Sequence, residues 1–154
     1  MTEVSIMSLD EKLKIFIADE EYLISLLSNT SAFFNEHLEN INWVGYYLYK
    51  DNQLILGPFQ GKTACEIIPL NKGVCGHCAT TKKTIVVDDV YNFIGHIVCD
   101  SASNSEIVLP IIVDNQLFGV LDIDSPIKSR FTNRDKDILE NCVKILQDKI
   151  QELI

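Results

Sequence analysis

Two β-rich runs joined by a two-residue polar turn constrain the fold of this chain more than any other feature. The runs are Ser105 to Val113 and Gln116 to Ile123, and Asp114-Asn115 lies between them. A two-residue turn of this composition joins antiparallel strands. The chain is therefore expected to contain an antiparallel hairpin, and the other β-rich runs are candidates to extend its sheet.

Further short β-rich runs precede this hairpin. Strands are predicted at Asn42 to Tyr49, Gln53 to Gly57, Ala64 to Pro69 and Thr84 to Val87, with a turn at Asp51-Asn52 between the first two. A long connection, residues 88–104, then leads to the hairpin. Connections of that length in compact domains are usually functional or mobile.

Helical patterns lie at both ends of the chain. Ser8-Leu-Asp-Glu11 has the form of a capping box and predicts an amphipathic helix over 9–27, with a break allowed, and a second helix is predicted from Ser31 to about His37. Gly73 to Thr81 suits a short helix, and Thr132-Asn-Arg-Asp135 opens a final one. Terminal helices around at least five strands, mostly joined by hairpins, indicate an α+β fold.

Composition narrows the function classes. With 154 residues, 47% of them hydrophobic, residues 1–154 are expected to form one domain. The net charge of −9 disfavours nucleic acid and anionic membrane surfaces as partners. The longest apolar stretch, Ile107 to Val113, is far short of the ~20 residues that a spanning helix needs. The N-terminus lacks the pattern of a secretory signal, so a cytoplasmic location is expected.

Cysteine content is high for a cytosolic chain of this size. The five cysteines are Cys65, Cys75, Cys78, Cys99 and Cys142. An odd number cannot all pair internally, and in a reducing compartment such a set suggests redox chemistry or metal binding before structural disulfides. Cys142 lies on the apolar side of the predicted final helix, where inert packing is the simplest interpretation.

Cys75-Gly-His-Cys78 has the C-x-x-C spacing of redox sites and of half a zinc site. A zinc site would need two more suitably spaced ligands and a c-type haem would need His where Ala79 stands, so no metal or other cofactor is expected. A thioredoxin-like site would need a βαβ context, whereas this segment follows a predicted antiparallel run. Two small buried residues on a short helix explain the pattern equally well.

Cys99 lies in Gly95-His-Ile-Val-Cys-Asp100, within the long connection and close to a histidine. Loops present reactive groups, and a nearby histidine helps to hold a thiolate, so this cysteine is a candidate nucleophile. A loop cysteine with no role is the alternative.

Asp122 and Asp124 are two residues apart on a predicted strand and so lie on the same face. Two carboxylates beside an apolar strand are costly unless they meet a cation, a metal or water, and a solvated strand end is the alternative interpretation. Counted outward from the turn, residues 106 and 107 lie opposite 123 and 122, which makes Glu106 a near neighbour of Asp122.

The first predicted strand places Trp43, Gly45 and Tyr47 on one face. Such a face could form an aromatic wall for a small ligand, although packing in the core is the commoner reason for aromatic residues in a strand.

Taken together, these motifs resemble one family. The matching segments are Asn42-Trp-Val-Gly45, Leu56-Gly-Pro-Phe-Gln-Gly-Lys62, Ala64-Cys65, Gly73-Val-Cys-Gly76, Gly95-His-Ile-Val-Cys-Asp100, Ser105-Glu-Ile-Val108 and Gly119-Val-Leu-Asp-Ile-Asp-Ser125. In order and spacing they resemble the free methionine-R-sulfoxide reductases, which are GAF-domain enzymes, and the resemblance covers nearly the whole chain.

The resemblance implies a GAF fold: a central antiparallel sheet of about six strands, N- and C-terminal helices packed on one face, and a ligand pocket under loops on the other. It implies reduction of free methionine-R-sulfoxide rather than of methionine within proteins, with thioredoxin as electron donor, in protection against oxidative damage. It also implies a possible homodimer paired through the terminal helices.

The resemblance also implies roles for individual residues. Cys99 would be the nucleophile that becomes a sulfenic acid, Cys65 would resolve it as a disulfide, and Cys75 would be a second resolving or relay thiol. Cys78 departs from the small residue usual in the family, so it is either a spectator or an alternative resolving thiol, and His77 has no assigned role.

The substrate-binding side chains follow from the same likeness. Glu106 and Asp124 match the acids that protonate the sulfoxide oxygen, and Asp122 is the candidate for the substrate ammonium group. Trp43 and Tyr47 would pack against the S-methyl group.

Two competing functions remain open at the level of sequence. One is a noncatalytic GAF sensor that binds a nucleotide or another small ligand, although such modules usually accompany an output domain and this chain ends after its last helix. The other is a cysteine-based zinc or redox sensor.

Overall fold

The computed structural model describes residues 6–95 and 103–154. The helices are α1 (Leu9–Phe16), α2 (Leu23–His37), α3 (Gly73–Thr81) and α4 (Asn133–Leu153), with a short 3-10 helix at Val90–Asn92. The strands are β1 (Trp43–Lys50), β2 (Gln53–Gly61), β3 (Ile67–Pro69), β4 (Ile85–Val87), β5 (Ser105–Val113) and β6 (Gln116–Ser125). None of the helices in these two ranges combines the length and apolarity needed to cross a membrane.

The six strands form one sheet in the order β3-β2-β1-β6-β5-β4, and each neighbouring pair is antiparallel. Two tight turns set this pairing. Asp51-Asn52 joins β1 to β2 and Asp114-Asn115 joins β5 to β6, and all four residues have positive φ between 53° and 62°. Two successive residues with positive φ form the type I′ turn, whose twist matches that of the strands. The α+β prediction is confirmed.

One face of the sheet is covered by the terminal helices. Strand residues such as Val44, Tyr46, Leu121 and Ile123 pack there against α1, α2 and α4. The buried hydrophobic residues of these helices are Leu13, Leu26, Leu27, Phe33, Phe34, Leu139, Cys142, Val143, Leu146 and Ile150. This larger core leaves the opposite face of the sheet available for a site.

The opposite face carries a smaller core around α3. Trp43, Tyr47, Val108 and Val120 on the strands alternate with residues of the helix-side core and pack against buried α3 residues such as Cys78. Alternation along β1 and β6 therefore separates the two cores as the sequence predicts.

The N-terminal helices differ from the prediction. The pattern over 9–27 is broken at residues 17–22, and the helix predicted from Ser31 is the second half of a continuous α2. Thr30 and Ser31 do not cap a new helix, because their hydroxyls donate to the carbonyls of Leu26 and Leu27, four residues back, at 2.7 and 2.8 Å. Hydroxyl groups bonded in this way sit inside a helix without ending it.

Strand β2 runs beyond its predicted end at Gly57 and reaches Gly61. Its pairing with β1 shifts by one residue, since Gly45 lies opposite Phe59 whereas Tyr47 lies opposite Leu56. The extra residue forms a bulge at Gly57-Pro58, and a bulge is one of the few places where a strand tolerates proline. Gly-Pro therefore bends this strand without ending it.

Smaller differences concern the other strand ends. Strand β3 begins at Ile67, not Ala64, and β4 begins at Ile85, not Thr84, whereas β6 continues past Ile123 to Ser125. The extension of β6 brings Asp124 into the sheet.

The hairpin register differs from the prediction by one residue. Val113 pairs with Gln116, but the pairing shifts between Ile111 and Ile112, so that Glu106 lies opposite Asp124. One additional residue on β6, at Phe118, is accommodated as a bulge. Directly opposed residues share a face, so the bulge places Glu106 on the face of Asp122 and Asp124.

Candidate functional site

A pocket opens on the α3 face of the sheet, where β1 and β5 begin and β6 ends. Its lining residues are Trp43, Tyr47, Thr63, Ala64, Ile68, Lys72, Gly73, Val74, Cys75, Val90, Ser103, Glu106, Asp122 and Asp124. This lining includes six of the eight predicted site residues, namely Trp43, Tyr47, Cys75, Glu106, Asp122 and Asp124. Residues from four separate parts of the sequence therefore share one cavity.

Cross-strand pairing explains why the pocket joins aromatic and acidic side chains. On the β1–β6 ladder, Trp43 lies opposite Asp124 and Gly45 lies opposite Asp122. On the β5–β6 ladder, Glu106 lies opposite Asp124. The missing side chain at Gly45 lets Phe59 of β2 approach closely, since a Cβ atom there would lie 2.3 Å from Phe59 Cβ.

Glu106, Asp122 and Asp124 form a carboxyl cluster on the floor of the pocket. Glu106 is 8% and Asp122 is 5% exposed. A carboxyl oxygen of Glu106, one of Asp122 and the Cys75 sulfur all lie within 4.8 Å of one another. Among the described residues, these three form the one group of three side chains placed to hold a metal ion. Cys78, the second cysteine of the C-x-x-C motif, is not in that group.

Burial and crowding alter the acidity of the cluster. Removal from water, followed by the neighbouring carboxyl groups of Asp122 and Asp124, raises the pKa of Glu106 well above its usual value. The same two causes, burial and then Asp122, raise the pKa of Asp124. Carboxyl groups with raised pKa values keep their proton to higher pH and are better suited to donate it near neutral pH.

Ser103 supports the cluster from the end of the long connection. Its hydroxyl donates to Asp124 Oδ2 at 3.3 Å and accepts from Asn42 Nδ2 at 3.1 Å. Sequence reasoning missed this residue, as it missed Thr63, Lys72 and Val90 in the lining. These residues lie outside strand alternation or in connections, so no periodic pattern marks them.

Cys75 reaches the pocket from the first turn of α3. This turn packs closely against the end of β3, because a Cβ atom on Gly76 would lie 2.7 Å from the Pro69 carbonyl oxygen. Burial, and then the charges of Asp122 and Glu106, raise the pKa of the Cys75 thiol. Cys75 therefore stands in the site as a protonated thiol at neutral pH, and such a thiol is a poor nucleophile.

Trp43 and Tyr47 form an aromatic wall on one side of the pocket. Their ring centroids are 6.0 Å apart, and the indole of Trp43 also stacks on Phe59 at 5.1 Å. Both polar ends are used: Trp43 Nε1 donates to the Lys62 carbonyl at 3.1 Å and the Tyr47 hydroxyl to the Cys65 carbonyl at 2.9 Å. Stacking and hydrogen bonds thus hold both side chains in place beside the pocket.

The remaining predicted cysteines differ in what the structure describes. Cys99 lies outside the described residues. Cys65 is disulfide-bonded, next to the pocket-lining Ala64, whereas Cys75, Cys78 and Cys142 are free thiols. Cys78 is fully buried and its thiol faces the Val108 carbonyl at 3.6 Å. Cys142 is buried in the helix-side core, where burial raises its pKa to about 12.

Comparison with known proteins gives consistent matches over most of the chain. The GAF domain pattern matches residues 25–146. The free methionine-R-sulfoxide reductase of Escherichia coli strain K12 is 48% identical over 139 residues, which cover 90% of this chain and 84% of that protein.

Two solved structures extend the likeness to three dimensions. The reduced form of fRMsr from Staphylococcus aureus has a TM-score of 0.90 and 49% identity, covering 97% of this chain and 99% of that one. The free methionine-R-sulfoxide reductase of Neisseria meningitidis, solved in complex with its substrate, has a TM-score of 0.91 and 34% identity, covering 99% and 96% of the two chains. This chain belongs to the free methionine-R-sulfoxide reductase family of GAF-domain proteins.

Proposed function

We propose that this protein reduces free L-methionine-R-sulfoxide to L-methionine. The observation that carries the proposal is the pocket, whose lining combines a buried carboxyl cluster with an aromatic wall. A relative 48% identical to this chain is named for that reaction, and a structural neighbour was solved with its substrate.

The pocket suits the two ends of a free amino acid sulfoxide. The Asp122 carboxyl group is the proposed partner of the substrate ammonium, because a buried carboxylate is stabilised by a cation at hydrogen-bond distance. A residue within a protein has no free ammonium group, so this contact would select the free amino acid. Trp43 and Tyr47 would pack on the S-methyl group.

Glu106 and Asp124 are the proposed proton donors. A sulfoxide oxygen leaves sulfur readily only when it is protonated. The pKa values of Glu106 and Asp124 are raised by burial and by their neighbours, so both hold a proton to higher pH than an ordinary carboxyl group does. Positioned acids of this kind contribute about 10²- to 10⁴-fold to a rate.

Cys99 is the proposed nucleophile. Its thiolate attacks the sulfoxide sulfur and forms an S–S bond. The protonated oxygen then moves from the methionine sulfur to the cysteine sulfur as that S–S bond breaks, so that Cys99 becomes a sulfenic acid and methionine is released. The cysteine sulfur is oxidised by two electrons and the sulfoxide sulfur is reduced by two. The raised pKa of Cys75 argues against Cys75 in this role.

Cys65 is the proposed resolving residue. Its thiolate attacks the sulfenic sulfur of Cys99, the S–S bond forms, and the oxygen leaves as water. The disulfide-bonded state of Cys65 supports this role. Cys75 would act later as a relay thiol, and thioredoxin in the cytosol would supply two electrons to reduce the disulfide. We also propose that the chain acts as one GAF unit and pairs as a homodimer.

A coupled assay tests the substrate and the donor together. NADPH oxidation is followed with thioredoxin and thioredoxin reductase, offering free L-methionine R-sulfoxide, the S-sulfoxide and N-acetylmethionine sulfoxide separately. We expect turnover on the free R form alone. Folded, reduced protein that turns over none of the three would instead favour a noncatalytic GAF sensor.

A further inference from the structure

We infer that Tyr47 is a positioning residue for Cys65: its hydroxyl fixes the backbone from which the resolving thiol is presented. The inference rests on the proposed function and adds a second task to a residue of the aromatic wall. The ring borders the substrate, whereas the hydroxyl acts on the disulfide step.

The 62–66 segment, which connects β2 to β3, is held by hydrogen bonds that three of its own backbone carbonyl groups accept. Cys65 O accepts from the Tyr47 hydroxyl at 2.9 Å and Lys62 O accepts from Trp43 Nε1 at 3.1 Å. Glu66 O accepts from the backbone N–H of Leu56 at 2.9 Å. Two of these three contacts come from the aromatic wall, so the wall and the cysteine segment form one hydrogen-bonded unit.

Tyr47 can hold this position because it cannot move easily. The residue is 2% exposed, lies in a central strand, and stacks on Trp43. Burial, and then the charge of Asp122, raise the pKa of its hydroxyl above the ordinary value. The hydroxyl therefore remains a donor at neutral pH.

Backbone placement matters most for the disulfide step. A disulfide requires its two Cα atoms to lie within about 4.4–6.8 Å of each other. Cys65 must therefore be presented at a fixed distance from the Cys99 sulfenic acid, and correct placement of two reacting groups strongly accelerates an intramolecular step. Reduction of the sulfoxide by Cys99 does not involve the Cys65 backbone. Loss of the Tyr47 hydroxyl should then affect resolution more than methionine release.

Tyr47→Phe removes the hydroxyl and keeps the ring. The matched control is Tyr46→Phe, because Tyr46 is the adjacent strand residue, is fully buried on the helix side, and bonds Thr30 Oγ1 at 2.7 Å. Both variants lose one buried tyrosine hydrogen bond. A general loss of stability would therefore appear in both, whereas misplacement of Cys65 would appear in Tyr47→Phe alone.

The first measurement follows one turnover of pre-reduced protein with free L-methionine-R-sulfoxide. Methionine release, disulfide formation and dimedone-trapped sulfenic acid are quantified by mass spectrometry. In Tyr47→Phe we expect disulfide formation to slow about five- to tenfold relative to methionine release, the change that one hydrogen bond can produce, with trapped Cys99 sulfenic acid increased. Tyr46→Phe should show the wild-type ratio.

The second measurement needs no catalysis. Each protein is equilibrated with reduced and oxidised glutathione, and the fraction of Cys65 in disulfide form is determined. We expect the equilibrium constant for closing the Cys65 disulfide to fall about five- to tenfold in Tyr47→Phe and to stay unchanged in Tyr46→Phe.

The two measurements separate the inference from the proposed function. Wild-type protein that closes the disulfide in glutathione but releases no methionine would contradict the proposed function. Equal disulfide formation and equal glutathione equilibria in Tyr47→Phe and Tyr46→Phe would overturn the positioning role. A fall in methionine release as large as the fall in disulfide formation would also overturn it, since the hydroxyl would then act on the substrate.

Discussion

At the scale of single residues, the carboxyl cluster opposes folding. Glu106 and Asp122 are nearly inaccessible to water, and burying an ionised carboxyl group costs several kcal/mol unless it is paired or protonated. Glu106 and Asp124 respond by holding their protons, as their raised pKa values indicate. The same property that makes them proton donors therefore makes stability depend on pH.

The Glu106→Gln variant should change that dependence. In the unfolded chain Glu106 loses its proton near its ordinary pKa of about 4.3, whereas in the folded protein its raised pKa keeps the proton bound. The unfolded state then binds fewer protons, so this group lowers the free energy of unfolding as the pH rises from about 5 towards its folded pKa, by up to about 1 kcal/mol per pH unit. Glutamine cannot ionise, so the variant gains stability relative to wild type over that range.

Urea unfolding between about pH 5 and about pH 8 measures the effect. The control is Glu36→Gln, at an exposed position of α2. Wild type and Glu106→Gln whose free energies of unfolding change in parallel across this range would show that Glu106 ionises in the folded state.

Much of the cluster could be predicted from the sequence, because it depends on alternation within strands. Asp122 and Asp124 share a face, as do Trp43 and Tyr47, and the structure places all four in the lining. Ser103 could not be predicted, since its place depends on how the long connection returns to Asp124.

At the scale of elements, two bulges position the site. The bulge at Phe118 in β6 moves Glu106 from opposite Ile123 to opposite Asp124, and the bulge at Gly57-Pro58 carries β2 on to Phe59, which stacks on Trp43. Hairpin counting cannot detect an inserted residue, because the local sequence remains β-rich on both sides of it. The predicted register was therefore wrong by one, although the turn was correct.

Close contact between β1 and β2 makes Gly45 a sensitive position beneath the pocket. A Cβ atom there would lie 2.3 Å from Phe59 Cβ and 2.8 Å from the Pro58 carbonyl oxygen. Since much of that contact involves backbone, Gly45→Ala must push the strands apart, and we expect a loss of about 1–3 kcal/mol in the free energy of unfolding.

Gly57→Ala gives a graded comparison, because its nearest contact is the Tyr46 carbonyl oxygen at 3.1 Å. Urea unfolding should rank wild type above Gly57→Ala and Gly57→Ala above Gly45→Ala. Equal stability of Gly45→Ala and wild type would contradict the bulged β1–β2 pairing.

At the scale of the whole molecule, the larger hydrophobic core and the candidate site lie on opposite faces of the sheet. The terminal helices cover one face with a large apolar core, so the other face can hold buried acids, a buried thiol and a cavity. The α+β class, the six-stranded sheet and this division of faces followed from the pattern of runs and from the family resemblance. The continuity of α2 through Ser31 did not, because hydroxyl groups inside α2 resemble a helix start in the sequence.

The central claim is that the protein reduces free methionine-R-sulfoxide with electrons from the Cys99 thiol. Pre-reduced protein, freed of reductant, is mixed with excess free L-methionine-R-sulfoxide, and methionine is counted per chain, with Cys99→Ser as the test variant. Cys142→Ala is the matched control, because Cys142 is buried on the helix side. We predict about one methionine per chain from wild type and from Cys142→Ala, and none from Cys99→Ser. No methionine from folded, fully reduced wild type, or equal yields from Cys99→Ser and wild type, would contradict the account.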